Sequence, residues 1–336
     1  VIDFRYHLVS IIAVFLALAI GLVVGANVLQ PVPETLLNKA AQTVTRQNQN
    51  LTQQNRSLQR QVSADQNFAQ AASGRLLGHL MTGQSVVLVT APDADSKVIS
   101  GVTAAVKRAD GKVTGQVSVE PQFFDGSGST ETKLSQLAQS LAPAAGVTLP
   151  AQVSGDDIAG QEQAARVIAA AIVTKDGPAL GTAQVAQVLG GFGQSSYLQV
   201  SNLADPNATT LAPATMAIVV PPSAPPSSTD PNPVNRVLLT VAEQLAEASH
   251  GTVLAGSLSG SGAGSAIDEV PGGGKFSTVD NANTPVGQIS AVQALWERLN
   301  GRSPASYGVG PGAVPSPAPT PSVRPTSTVV QHAEKK

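Results

Sequence analysis

The chain has 336 residues and only 12% of them are charged, about half the usual share. Net charge is −2 and cysteine is absent, which excludes disulfides, thiolate nucleophiles and Cys-ligated metal sites and gives no bulk attraction to nucleic acid. Four histidines and two methionines leave few imidazole or thioether ligands for a metal. The charge is uneven. Residues 1–83 hold six Lys/Arg against three Asp/Glu, whereas residues 84–336 hold 14 against 19.

Residues 8–29 carry no charge. As a helix they would span about 33 Å, enough for a hydrocarbon core of roughly 30 Å. Asp3, Arg5 and His7 precede the stretch, and Pro31 and Pro33 end it. The expectation is a retained transmembrane anchor over 1–30. A cleaved signal peptide, with Val24, Gly25 and Ala26 as its processing site, is the alternative. Ala13, Ala17, Gly21 and Gly25 recur every fourth residue and line one helix face, where small side chains let two membrane helices approach closely. Arg5 and the terminal amine before the span nearly balance Lys39 and Arg46 after it, so the charges do not set the orientation.

A heptad pattern follows over 34–66. Leu37, Val44, Leu51 and Leu58 occupy d, with Ala41, Asn48, Asn55 and Val62 at a. This spacing predicts a coiled-coil stalk, and Asn at a favours a parallel pair of fixed register. No acidic residue lies between Thr35 and Ala64, so ion pairs at e and g cannot hold a homodimer together. A homodimer through membrane helix and stalk, or a complex with another protein, is the expectation. A solitary amphipathic stalk is the alternative.

From Ser85 the pattern becomes α/β. Residues 85–90 are an apolar run typical of a buried parallel strand, 98–109 read as a helix and 113–119 as the next strand. Helices are expected over 131–142 and 157–174. A second group follows: strands at 197–200, 215–220, 252–258 and 276–280, helices at 234–249 and 286–299, and a Pro-rich loop over 221–233. The alternation predicts a mostly parallel sheet with helices on both faces, over 84–306, as two lobes or as one sheet. Residues 308–336, with six prolines, read as a disordered tail.

Ligands of such sheets bind beyond the carboxyl ends of the strands. Asp93 and Asp95 fall there, as do Asp280 and the run containing Gly260 and Gly262. Each has a plainer reading as a cap, a turn or a flexible loop. His79 and Met81 place two copper-capable side chains two residues apart, without further ligands nearby. Eleven aromatics in the chain argue against a self-formed membrane barrel. No catalytic triad or phosphate-binding motif is present, so neither an enzyme nor a bound cofactor is expected.

Asp3, Phe4, Arg5, Tyr6, His7, Leu8, Val9 and Ser10, running into Ala13–Ala19 and then Gly21 and Gly25, resemble the opening of the actinobacterial copper transport protein MctB family. Pro92, Asp93 and Ala94, the stretch 252–256, and Ser277, Thr278, Val279 and Asp280 resemble it in order. The resemblance covers about residues 1–310. It implies an envelope protein with most of its chain outside the plasma membrane, linked to copper efflux or tolerance. It also implies partners in envelope growth and division, reached through the coiled coil. The family label places it in the outer membrane. One apolar helix, a stalk and an α/β domain fit a plasma-membrane anchor instead.

Overall fold

The computed structural model describes residues 4–28, 34–150, 158–202, 210–224, 233–257, 265–270 and 274–314. The chain divides into two compact units, residues 1–65 and 66–336.

In the first unit, helix α1 (Phe4–Val28) contains a 21-residue stretch, Tyr6–Ala26, long and apolar enough to cross a membrane. Its large apolar side chains are exposed, including Leu16, Leu18 and Leu22. Helix α2 (Glu34–Leu77) is 44 residues long and starts in this unit. Few of its residues are strong core formers, and its hydroxyls turn inward on its own backbone. Thr43, Thr45, Thr52 and Ser63 donate to the carbonyls four residues earlier, at 2.7–2.8 Å. That satisfies the side-chain donors within the helix itself. The heptad d residues Val44, Leu51 and Leu58 are each about 60% exposed.

The second unit contains the last turns of α2. Ala69, Ser73 and Leu77, four residues apart, are buried there. The helix thus runs beyond the stretch 34–66 that its heptads marked and becomes part of a core.

That core surrounds one seven-stranded sheet. Its strands are β1 (Ser85–Thr90), β2 (Lys112–Val119), β3 (Leu198–Ser201), β4 (Met216–Val220), β5 (Gly251–Ala255), β6 (Ser277–Val279) and β7 (Ser306–Tyr307). The spatial order is β3-β2-β1-β4-β5-β6-β7. All neighbours are parallel except β3, which runs antiparallel to β2. The two sequence groups therefore share one sheet, joined where β1 pairs with β4, except that β3, the first strand of the second group, lies at the outer edge beside β2.

Helices cover both faces. Helices α3 (Ser96–Arg108) and α8 (Pro285–Leu299) pack on one, with Val86, Leu88, Met216 and Ile218 beneath them. Helices α4 (Gly128–Ala145), α5 (Ala159–Ile172), α6 (Thr182–Gln194) and α7 (Pro233–Ala248) cover the other, over Val87, Val89, Val117 and Val219. Helix α5 is buried along nearly its whole length, which explains its Ala-rich sequence. A Cβ at Gly160 would lie 2.1 Å from the Glu131 carbonyl oxygen, so this glycine sets how closely α4 and α5 approach.

Helix α6 fills the stretch between the helix expected over 157–174 and the strand expected over 197–200, for which no element is expected. Gly191 is there for packing, since a Cβ would meet Leu141 Cδ1 at 2.8 Å. Residues 308–314 do not belong to a tail. Val314 bridges to Tyr307 and its N–H donates to Ser306 O, at 2.8 Å. The rest of that stretch, 315–336, and residues 225–232 of the Pro-rich loop lie outside the described residues.

Candidate functional site

Asp93 and Asp95 follow β1, as the sequence indicated, but play different parts. Asp95 caps α3, its carboxylate accepting the Lys97 N–H at 2.8 Å. That is a structural duty, worth about 1 kcal/mol to a helix. Asp93 is exposed and sits in the left-handed region, with φ 56°. Its carbonyl accepts the Ser223 N–H at 2.9 Å, and Ala94 bridges to Pro222. These contacts tie the ends of β1 and β4 together, at the point where the strand order turns and ligand crevices usually open. The opening lies instead on the other side of β1, toward β2. There a cavity of about 350 Å³ is bounded by residues 90–94, Ile99, Gln116 and residues 118–121.

Asp280 follows β6 and is 4% exposed. Its carboxylate accepts the Val309 N–H (3.0 and 3.1 Å to its two oxygens) and the Gly310 N–H (2.6 Å). A Cβ at Gly308, whose φ is 136°, would stand 1.8 Å from Asp280 Oδ1. Glycine is needed for the chain to close over the carboxylate. Asp280 is thus a latch for 308–314 and not a helix cap. It borders a second cavity of about 280 Å³, with Asp268, Thr278 and Tyr307.

Asp93 and Asp280 do not share a site. Strands β4 and β5 separate β1 from β6, and each carboxylate borders its own cavity. Gly260 and Gly262 lie outside the described residues. Gly256, at the start of that run, is a packing position, with a Cβ there 2.5 Å from Ile267 Cδ1.

His79 and Met81 do not converge. Met81 is fully buried against the core below α3. His79 is exposed, at φ 63°, and its Nδ1 lies 2.5 Å from Asp110 Oδ2. The left-handed turn between α2 and β1 sends the two side chains apart, which ends their candidacy as a joint copper site. Among the described residues no group of three or more His, Asp or Glu side chains is placed to hold a metal ion.

The heptad residues Val44, Asn48, Leu51, Asn55 and Leu58 are exposed along α2. The side chain of Leu37 lies outside the described residues. Gly21 and Gly25 have nothing within 4 Å of a hypothetical Cβ.

Two polar networks carried no sign in the sequence, one buried around Glu297 and one at the surface around Asp125. Tyr307 donates to Glu297, which also accepts from Arg302 at 2.9 Å. Burial, together with the Glu297 carboxylate, pushes the Tyr307 phenol well above its usual range. Asp125, before α4, accepts from the Thr130 hydroxyl at 2.8 Å and from Ser127, and these bonds lower its pKa. The first ties β7 to α8, and the second fixes the start of α4.

Comparison with known proteins now adds to this geometry. The family model described as "Copper transport outer membrane protein, MctB" matches residues 1–317. The chain is 29% identical over 323 residues to the copper transporter MctB of Mycobacterium bovis and of Mycobacterium tuberculosis. It is 32% identical over 322 residues to that of Mycobacterium leprae. Each alignment covers 93% of this chain and 98% of the relative. From the exposed apolar helix to the latch that ends at Val314, the described structure lies within the matched residues, and the chain belongs to the MctB copper transport protein family.

Proposed function

We propose that this chain is a non-enzymatic envelope protein that serves copper transport or copper tolerance. In this reading α1 anchors it in the plasma membrane as a single pass and the α/β unit stands on the extracytoplasmic side. The observation that carries the proposal is the match over residues 1–317 to a family of copper transport proteins. The apolar stretch Tyr6–Ala26 supports the anchor. Copper is here a transported ion and not a resident cofactor, in keeping with a chain of no cysteine and two methionines. The protein would act with others and would not enclose a pore itself. Deleting the gene and measuring cell-associated copper and growth on copper tests this. Cells without the protein should accumulate copper and stop growing at lower copper, and the intact chain should restore both. Unchanged copper content and tolerance would refute the copper role.

A second reading is favoured by a specific feature, the exposed apolar seam of α2. Val44, Leu51, Leu58 and Val62 are each more than half exposed. In that reading the stalk joins a second copy or another envelope protein and organises envelope assembly or division. Photocrosslinkers placed along 40–62 in cells should trap a helical partner at the seam positions. Equal labelling of all faces, with no discrete product, would refute a seam.

A further inference from the structure

The cavity beside β1 has a chemistry that neither copper transport nor the stalk uses. The cavity lies on the α3/α8 face of the sheet, where Ile99 of α3 meets the end of β2. Gln116 and Ser118 of β2 pair with Ser201 and Gln199 of β3, so the four side chains share that face. The exposures agree, with Gln199 and Ser201 exposed and Gln116 and Ser118 half-buried. Polar residues replace the valines that fill the rest of the sheet.

Bordering the cavity, Gln116, Ser118 and Thr90 form a closed network. Thr90 Oγ1 donates to Ser118 Oγ at 3.1 Å, and Gln116 Nε2 donates to both hydroxyls, at 3.2 and 3.1 Å. Counting donors and acceptors shows what remains. Ser118 Oγ accepts two bonds and keeps its own proton free. The Gln116 carbonyl oxygen remains an acceptor. The carboxylates of Asp93 and Glu120 border the same cavity, and neither is in an ion pair among the described residues. The site therefore offers one donor and several acceptors, two of them negative, above an apolar floor that includes Ile99. The backbone of Asp93 is held in the left-handed region by its ties to β4, a strained arrangement that fixes where its side chain starts.

We propose that this cavity binds a sugar-sized, hydroxyl-rich ligand that carries no negative charge. The cavity, at about 350 Å³, falls in the range of small-ligand sites. A polyol or amino sugar supplies the O–H and N–H donors that the free acceptors need, and its C–H face suits the apolar floor. An anion would meet two unpaired carboxylates and is rejected by them. The stance of the ligand follows from the network, because Gln116 and Ser118 are held by one another before it arrives and lose little freedom on binding.

The test uses the full chain in a detergent without a sugar headgroup, with binding of diacetylchitobiose, glucosamine and glucuronic acid measured by saturation-transfer NMR and titration. The two neutral or cationic sugars should bind, and glucuronic acid at least tenfold more weakly. Gln116→Ala and Glu120→Gln should each weaken binding about fivefold, the loss of one hydrogen bond. Both residues are half-buried, Gln116 in β2 and Glu120 just after it, and unchanged thermal unfolding of each variant certifies that the fold is intact. Ser118→Ala provides a third variant if either unfolds early. Failure of both sugars to bind at millimolar concentration overturns the proposal. So does equal or tighter binding of glucuronic acid, or binding that none of the folded variants weakens.

Discussion

Replacing Asp280 with Ala should free residues 308–314 from the sheet. The carboxylate is 4% exposed and accepts from two backbone N–H groups, those of Val309 and Gly310, the latter at 2.6 Å. Hydrogen bonds to a charged group contribute about 1.5–3 kcal/mol each. Val309 is exposed and Gly310 half-buried, so water partly replaces the lost acceptor and the lower end of that range applies. The expected cost is about 2–4 kcal/mol, read as a fall in the urea midpoint with the slope unchanged. Asp280→Asn, which keeps an acceptor oxygen and loses the charge, should cost about half as much. Gly308→Ala should resemble Asp280→Ala for a different reason. Its φ of 136° is poor for alanine, and its Cβ would meet the carboxylate. Hydrogen exchange locates the effect, since the amides of Val309, Gly310 and Val314 should lose protection in all three variants while β1 and β4 keep theirs. A loss below about 0.5 kcal/mol with unchanged protection at those amides would refute the latch.

Further outcomes follow from other parts of the molecule. Gly160→Val places side-chain atoms on the Glu131 carbonyl and should cost about 3 kcal/mol or more, measured by denaturation of the full chain. Tyr307 should stay un-ionised at pH 11 when its ultraviolet absorbance is titrated. Its raised pKa means that stability is complete below pH 10 and falls as pH rises further, because the unfolded tyrosine ionises first. Glu297→Gln should bring that titration back toward the usual range. Thr130→Val removes the largest cause of the low Asp125 pKa, so the Asp125 carboxyl should titrate higher in NMR. Leu51→Asn with Leu58→Asn should abolish seam crosslinks in membranes, since each buried leucine contributes about 1.5–3 kcal/mol to such a contact.

How far the sequence could be read depended on where the relevant information lies. Strand β1 was legible to the residue, because Val86, Val87, Leu88 and Val89 form a run that only a two-sided burial explains. The helices expected over 98–109 and 286–299 are α3 and α8, which start at Ser96 and Pro285 and are capped by Asp95 and Thr284. Helix α6 was hidden, because its three glycines lower helix propensity, although one of them, Gly191, serves packing against Leu141. Residues 308–314 look like the Pro/Ser-rich stretch after them, and only the carboxylate of Asp280, distant in sequence, sets them apart. The candidate sites were legible as strand ends but not as neighbours. Which ends meet depends on strand order, and β4 and β5 stand between Asp93 and Asp280. His79 and Met81 show the local form of the same limit, since a single left-handed residue turned two adjacent ligand types to opposite environments.

The central claim, an anchored protein whose α/β unit stands outside the plasma membrane, has a direct test in topology. The reporter belongs after Val314, because β7 and the latch complete the sheet. Alkaline phosphatase joined there should be active in intact cells, and a fluorescent protein that matures only in the cytoplasm should be dark. A bright fluorescent fusion with inactive phosphatase would contradict the account.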